Sequence, residues 1–200
     1  LARGVAFVRH DVTQGELEWM DAAGVRAVRF NFLKRLVDST PREHYLKIVE
    51  KIAKLGWHIV VYFEANELHE IEGFLRELPT TVVIDHLGRP DVEGGIGHPD
   101  YLRIKRMMED EKFWIKVSCP ERLTKAGPPY DDVLPFGRDM VESFPDRVLW
   151  GTDWPHPNMK SHAPDDGLLV DRIPLIAPTE ALQRKLLIDN PMRLYWGEAV

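Results

Sequence analysis

The chain repeats one unit: a short apolar run, a polar loop, then a helical pattern. Such runs fall at about 4–8, 27–30, 58–63, 81–85, 113–117 and 148–151. They are largely continuous rather than alternating, as in Ile59-Val-Val-Tyr-Phe63 and Val82-Val-Ile84. A strand buried on both faces of a parallel sheet reads this way, because helices cover the sheet and no face is left for water. Strands separated by helices of this length predict an α/β protein, either a (β/α) barrel or an open doubly wound sheet.

The intervening segments carry helix signals. Thr13-Gln-Gly-Glu16 matches a capping box ahead of Leu17 and Met20. Thr40-Pro-Arg-Glu43 repeats that logic, with Pro41 expected at the first helical position. Tyr45, Ile48, Val49 and Ile52 follow at helical spacing, and Gly56 is placed to stop that helix. Further helices are expected over 67–78, 99–110, 132–144 and 179–190. The loops 88–99 and 119–129 are rich in Gly and Pro, and loops at the carboxyl ends of strands often carry function.

No Gly-rich phosphate loop follows any strand, which argues against a nucleotide site. A (β/α) barrel closes with eight strands. If the sheet is a barrel, the six units are six of the eight of a (β/α)8 TIM-type barrel, as one partial domain over 1–200. The start at Leu1, without Met, reads as an entry partway through a larger protein.

The net charge of −6 argues against nucleic acid as a partner, but a local basic pocket can still take an anion. The single cysteine, Cys119, allows no internal disulfide and suits a reducing compartment, so a cytoplasmic location is expected. No apolar run approaches membrane-spanning length, no secretory leader is visible, and no membrane partner is expected. A monomer or small homo-oligomer fits this composition.

The strand ends hold the polar groups. The stretch Val148-Leu-Trp-Gly-Thr-Asp-Trp-Pro-His-Pro-Asn158 puts Asp153 and His156 where a strand opens into a loop. The carboxyl ends of parallel strands are where such folds do chemistry, and an Asp there can serve as a base or bind a metal; it can equally cap a helix. Arg29 and Asn31 share one side of the pleat by the two-residue period, and Arg35 follows in the loop. The third run delivers Tyr62 and Glu64 to one face. The fourth ends in Asp85-His86-Leu-Gly-Arg89, and the fifth in Ser118-Cys119-Pro-Glu-Arg122.

Each has an ordinary structural reading. The arginines could neutralise Glu64, Asp85 and Glu121; Tyr62 and His86 could be core residues; Cys119 reads as an inert buried thiol. Convergence favours function. Guanidinium groups grip carboxylates bidentately, so Arg29, Arg35 and Arg122 around one mouth suit a polyanionic substrate, with Asp153 and His86 as the proton-handling pair.

Those residues also carry a resemblance. Arg29-Phe-Asn-Phe-Leu-Lys-Arg35, Val61-Tyr-Phe-Glu64, Ile84-Asp-His-Leu-Gly-Arg-Pro-Asp91, Cys119-Pro-Glu-Arg122, Gly151-Thr-Asp-Trp-Pro-His-Pro-Asn158 and Asn190-Pro-Met-Arg-Leu-Tyr-Trp196 closely resemble the 2-pyrone-4,6-dicarboxylate lactonases of the amidohydrolase superfamily. The resemblance runs over essentially the whole chain. It implies a (β/α)8 barrel that hydrolyses a pyrone dicarboxylate to 4-oxalomesaconate, in the breakdown of lignin-derived aromatics. Asp153 would take a proton from water and His86 would polarise the lactone carbonyl. Arg29, Arg35, Arg122 and Tyr62 would hold the carboxylates, with His156 and Asn31 in support.

Many superfamily members hold zinc through a His-x-His pair, which this sequence does not contain. Tyr62 stands where many of them place a histidine. The expectation is therefore catalysis without metal or other cofactor. Three further readings stay open at the level of sequence. One is a zinc-dependent decarboxylase of the same superfamily. Another is a sulfomuconolactone or sugar-lactone hydrolase. The third is a barrel fragment that binds acidic ligands without turnover.

Overall fold

The computed structural model describes residues 2–33, 40–157, 159 and 163–198. Six strands, β1 (Gly4–Ala6), β2 (Val25–Asn31), β3 (His58–Tyr62), β4 (Val82–Ile84), β5 (Phe113–Ser118) and β6 (Val148–Gly151), form one sheet in sequence order. Every neighbouring pair is parallel. Strands in sequence order joined by helical crossovers make a barrel wall rather than a doubly wound sheet, in which the order reverses at a switch point. The result is a six-strand curled partial barrel with β1 and β6 as its outer strands. All six runs read from the sequence as strands are strands.

The two-residue period sorts each strand into two faces. Val28, Phe30, Ile59, Val61, Val82, Ile84, Phe113, Ile115, Val117 and Val148 face outward and pack with the helices in the main core. Ala27, Val60, Val83, Trp114 and Leu149 face inward as a smaller second cluster, closed over by Leu194 and Tyr195. Beyond that inner cluster, toward the carboxyl ends, the inward positions turn polar: Arg29 and Asn31, Tyr62, Asp85, Lys116 and Ser118. The inner apolar cluster is thus the floor of a polar mouth.

The helices are α1 (Gln14–Ala22), α2 (Arg42–Ala53), α3 (Leu68–Glu77), α4 (Pro99–Met107), α5 (Leu134–Ser143), α6 (Asp166–Asp171), α7 (Ile173–Ile176), α8 (Glu180–Arg184) and α9 (Asn190–Trp196). Thr13 forms the expected capping box: its hydroxyl accepts from the Glu16 amide at 3.2 Å, and its own amide donates to the Glu16 carboxylate at 2.7 Å. The expected second box does not form. Pro41 is the N-cap of α2 rather than its first helical residue, because its ψ of 136° is extended, and no side chain caps that end.

The helix expected over 179–190 runs on. After α8 the backbone widens to a π-turn at Lys185–Asp189 and continues through α9 to Trp196. Pro191 has no N–H to give a helical carbonyl, and a widened turn absorbs that missing bond. Gly197, at φ 68°, then ends the helix. Asn190 fastens this segment to the barrel by donating to the carbonyls of Pro145 and Val148, each at 2.8 Å. The short α6 and α7 had no clear signal in the sequence.

Candidate active site

The residues that follow β4, β5 and β6 hold the mouth, and their backbone is unusual. His86 (φ 49°), Leu87 (56°), Arg89 (51°), Cys119 (64°), Asp153 (72°) and His156 (55°) are all left-handed although none is glycine. Each such residue costs about 1–3 kcal/mol, and such residues concentrate where surrounding structure over-determines them, typically at functional sites. Gly88, at φ 68°, completes the turn after β4. A Cβ there would lie 2.7 Å from Ile104 Cδ1 on a left-handed backbone, so a side chain in the turn that aims His86 would force Ile104 to shift.

These loops and the inward strand residues enclose a chamber of about 340 Å³. Arg29, Asn31, Tyr62, His86, Arg122 and Asp153 all line it. Six of the eight residues singled out from the sequence therefore share one cavity. Arg35 lies outside the described residues. His156 is buried behind the Asp153 turn rather than in the chamber wall.

Asp153 is the meeting point on one side. Its Oδ2 is 2.5 Å from Arg122 Nη2, and its Oδ1 is 3.5 Å from His86 Nε2. Behind the turn, His156 donates its backbone N–H to the Asp153 carbonyl at 2.8 Å. Its ring bridges Glu121 (Nδ1 to Oε1, 3.2 Å) and Asp166 at the start of α6 (Nε2 to Oδ1, 3.2 Å). That bridge pins the strained turn to the loop after β5 and to α6.

Asp85 is the second meeting point. Its Oδ2 is 2.8 Å from Arg29 Nη2 and 3.6 Å from His86 Nε2, while its Oδ1 is 3.2 Å from Lys116 Nζ. Burial alone would raise the Asp85 pKa, but Lys116, His86 and Arg29 together hold it below the usual carboxylate range. His86 is moved below its ordinary value, chiefly by burial, against the pull of Asp85 and Asp153. The ring is thus neutral in neutral solution. Ser118 Oγ lies 2.8 Å from its Nδ1. With the hydroxyl donating there, Nε2 carries the ring proton and points to the gap between the two carboxylates.

Tyr62 forms the third wall. Its ring packs edge-on to His86 at 5.3 Å and lies under the Arg29 guanidinium at 4.6 Å, and its hydroxyl accepts from Arg89 at 3.1 Å. Asn31 is spent locally, its side-chain oxygen accepting from the Leu33 amide at 3.0 Å. Glu64 faces Arg89 at 3.6 Å in an adjoining cleft, not in the chamber. Burial pushes the Cys119 thiol far up, with Glu121 and Asp153 adding to the effect, so this cysteine is not a nucleophile.

Sequence reading missed Lys116, Ser118 and the central position of Asp85. A signal existed for Lys116. It interrupts an otherwise apolar strand, two residues from Trp114 and two from Ser118, and a charge on a strand covered on both faces needs a polar chamber to face.

An incomplete parallel βα barrel with carboxylate, imidazole and guanidinium groups gathered at the carboxyl ends of its strands has the make-up of a barrel hydrolase. The chain belongs to the amidohydrolase family, whose profile matches residues 1–196. It is 59% identical to a 2-pyrone-4,6-dicarboxylate hydrolase of Comamonas testosteroni, in an alignment covering all of this chain and 68% of that protein. It is 33% identical to a 4-sulfomuconolactone hydrolase of Hydrogenophaga intermedia, over 92% of this chain and 62% of the relative. The chain thus spans about two thirds of the curated relatives it matches. Among solved structures, a 2-pyrone-4,6-dicarboxylic acid hydrolase of Pseudomonas putida superposes with a TM-score of 0.84 at 29% identity, over 99% of this chain and 73% of that one. A similarly described protein of Acinetobacter baumannii, with citric acid bound, gives 0.81 at 28% identity, over 97% of this chain and 73% of that one.

Zinc, common in this superfamily, does not fit the described residues. Two groups bring donor atoms within 4.8 Å of one another: His86, Cys119 and Asp153, and Glu121, Asp153 and His156. In the first, Arg122 already occupies the Asp153 Oδ2, and the Cys119 thiol is spent on Glu121 and that same Asp153 oxygen. In the second, both His156 nitrogens are engaged by carboxylates. Catalytic zinc takes three protein ligands with free lone pairs, and neither group offers them.

Proposed function

We propose that the protein opens the lactone ring of 2-pyrone-4,6-dicarboxylate to 4-oxalomesaconate, and that it does so without a metal. The observation that carries this reading is the meeting of Asp153, His86, Arg29 and Arg122 around one chamber. The identity to a hydrolase of that lactone supports it. So does a citrate-bound relative, since citrate too is a polycarboxylate.

Asp153 accepts a proton from water as the water attacks the lactone carbonyl carbon. His86 Nε2–H donates to the carbonyl oxygen as negative charge develops there. A positioned general base contributes roughly 10²–10⁴-fold, and a preorganised donor to the developing oxyanion roughly 10²–10³-fold. Collapse of the tetrahedral adduct breaks the ring C–O bond. The ring oxygen leaves as an enolate and takes up the proton held by Asp153. The new carboxylic acid ionises, so one proton is released for each lactone opened.

Arg29, Arg122 and Tyr62, joined by Arg35, hold the two substrate carboxylates and fix the ring against the water, which lowers the entropic part of the barrier. Arg122 must then divide its donors between Asp153 and substrate, which its five N–H groups allow. In this reading the enzyme belongs to the cytoplasmic breakdown of lignin-derived aromatics.

The test is ultraviolet absorbance of the pyrone, followed with purified protein with and without a chelator. Loss of the chromophore at equal rates in both is expected. A rate abolished by chelation and restored by zinc would overturn the metal-free mechanism. Faster opening of a sulfomuconolactone would reassign the substrate.

A further inference from the structure

Lys116, like the Asp85 it faces, is a charged group of the chamber that the proposed mechanism leaves without a role. It sits on the inward face of β5 between Trp114 and Ser118, and lines the same cavity as Asp153 and His86. A partly exposed ammonium could simply be a substrate anchor. Its geometry says otherwise: Lys116 Nζ lies 3.2 Å from Asp85 Oδ1, whereas Arg29 and His86 share the second oxygen, Oδ2. Asp85 therefore has two cations and one imidazole competing for a single charge.

We propose that Lys116 is a positioning residue that acts through Asp85, neutralising this carboxylate together with Arg29 so that His86 stays an uncharged donor aimed at the lactone carbonyl. The inference rests on the lactonase reading for its consequence, but not for its geometry. The groups that face His86 come from five strands and the residues just after them: Asp85 after β4, Asp153 after β6, Lys116 and Ser118 on β5 with Cys119 just beyond, Arg29 on β2 and Tyr62 on β3. Two carboxylates within 3.6 Å favour the imidazolium, and burial opposes it. Arg29 and Lys116 are the groups that oppose the carboxylates, and both lower the His86 pKa.

Without Lys116, Asp85 would keep only Arg29 as a full positive partner, and its remaining charge would bear on His86. A protonated His86 would lock into the two carboxylates and cancel the charge of Asp153. The base and the carbonyl donor would be lost together, and they would be lost at a higher pH than in the wild type.

The experiment is an NMR titration of the His86 ring, assigned by its absence in His86→Gln, in wild-type protein and in Lys116→Met. The His86 titration should move up by about one pH unit or more on loss of the cation, the ordinary size of a near-charge effect. The acid limb of the kcat/KM profile should move with it. Lys116→Arg should return the titration toward wild type. Combining Lys116→Met with Asp85→Asn should cancel the upward shift, because the unbalanced carboxylate is gone; a purely structural role would predict additive damage instead. If Lys116→Met does not fold, Lys116→Gln is read in the same way. A His86 titration unmoved in a folded Lys116 variant overturns the proposal. If wild-type protein opens no lactone, the functional reading falls, and the ring titration alone decides the role of Lys116.

Discussion

Replacing Asp153 by Asn tests the site most directly. The substitution keeps shape and size, so Arg122 and the turn held by His156 retain a partner, but no group remains to take the proton from water. A general base is worth roughly 10²–10⁴-fold, or about 3–5 kcal/mol of barrier at 1.36 kcal/mol per factor of ten. Binding should behave differently. Arg122 is nine-tenths buried and held 2.5 Å from the Asp153 carboxylate, and in the variant its full charge is free for a substrate carboxylate. KM should therefore hold or fall while kcat drops. Steady-state loss of pyrone absorbance gives both constants, and circular dichroism with thermal melting confirms the fold. A folded variant with kcat within about tenfold of wild type would refute Asp153 as the base.

Arg122→Met should weaken binding of the dicarboxylate at least about tenfold more than that of a monocarboxylate analogue, since a charge-assisted contact is lost for only one of them; equal effects would remove Arg122 from substrate recognition. His58, buried on the chamber floor against Tyr195, has its pKa pulled down to about 3, chiefly by burial with Lys116 adding to it. The unfolded chain binds this proton near pH 6.5, whereas the folded chain does not until about pH 3, so stability should fall as pH drops through that window. Between about pH 7 and 4 the loss should be about 3 kcal/mol by urea denaturation, at 1.36 kcal/mol per pH unit, and most of it should vanish in His58→Leu; an unchanged acid slope in that variant would dismiss His58 as its source. Gly88→Ala adds a methyl 2.7 Å from Ile104 on a left-handed residue, and should cost about 1–3 kcal/mol in thermal unfolding and slow turnover by displacing His86; a melting temperature equal to wild type would show the turn to be unstrained.

That the sheet is parallel and covered on both faces was readable from residue types alone; its strand order was not. A continuous apolar run such as Ile59-Val-Val61 can be satisfied only by a sheet covered on both faces, and its alternation with helices makes that sheet parallel. The cap at Thr13 was legible because both of its bonds lie within four residues. Thr40 and Pro41 present the same letters, yet the chain enters α2 extended, and nothing local in those letters records the direction of entry. Likewise the helix expected to stop at Asn190 runs on to Trp196, where Asn190 is tethered to the Pro145 and Val148 carbonyls.

For the site, residue identity supplied the inventory and the fold supplied the relations. Asp153, His86 and the arginines stand out in sequence because charged groups at strand ends need a reason. That Arg29 turns to Asp85, that Arg122 turns to Asp153, and that Lys116 belongs to the same charge balance are contacts across 31 to 56 residues of chain. Electrostatic interaction falls off over a few ångströms of space, not over positions in a sequence, so only the curl of the sheet could decide which charge neutralises which.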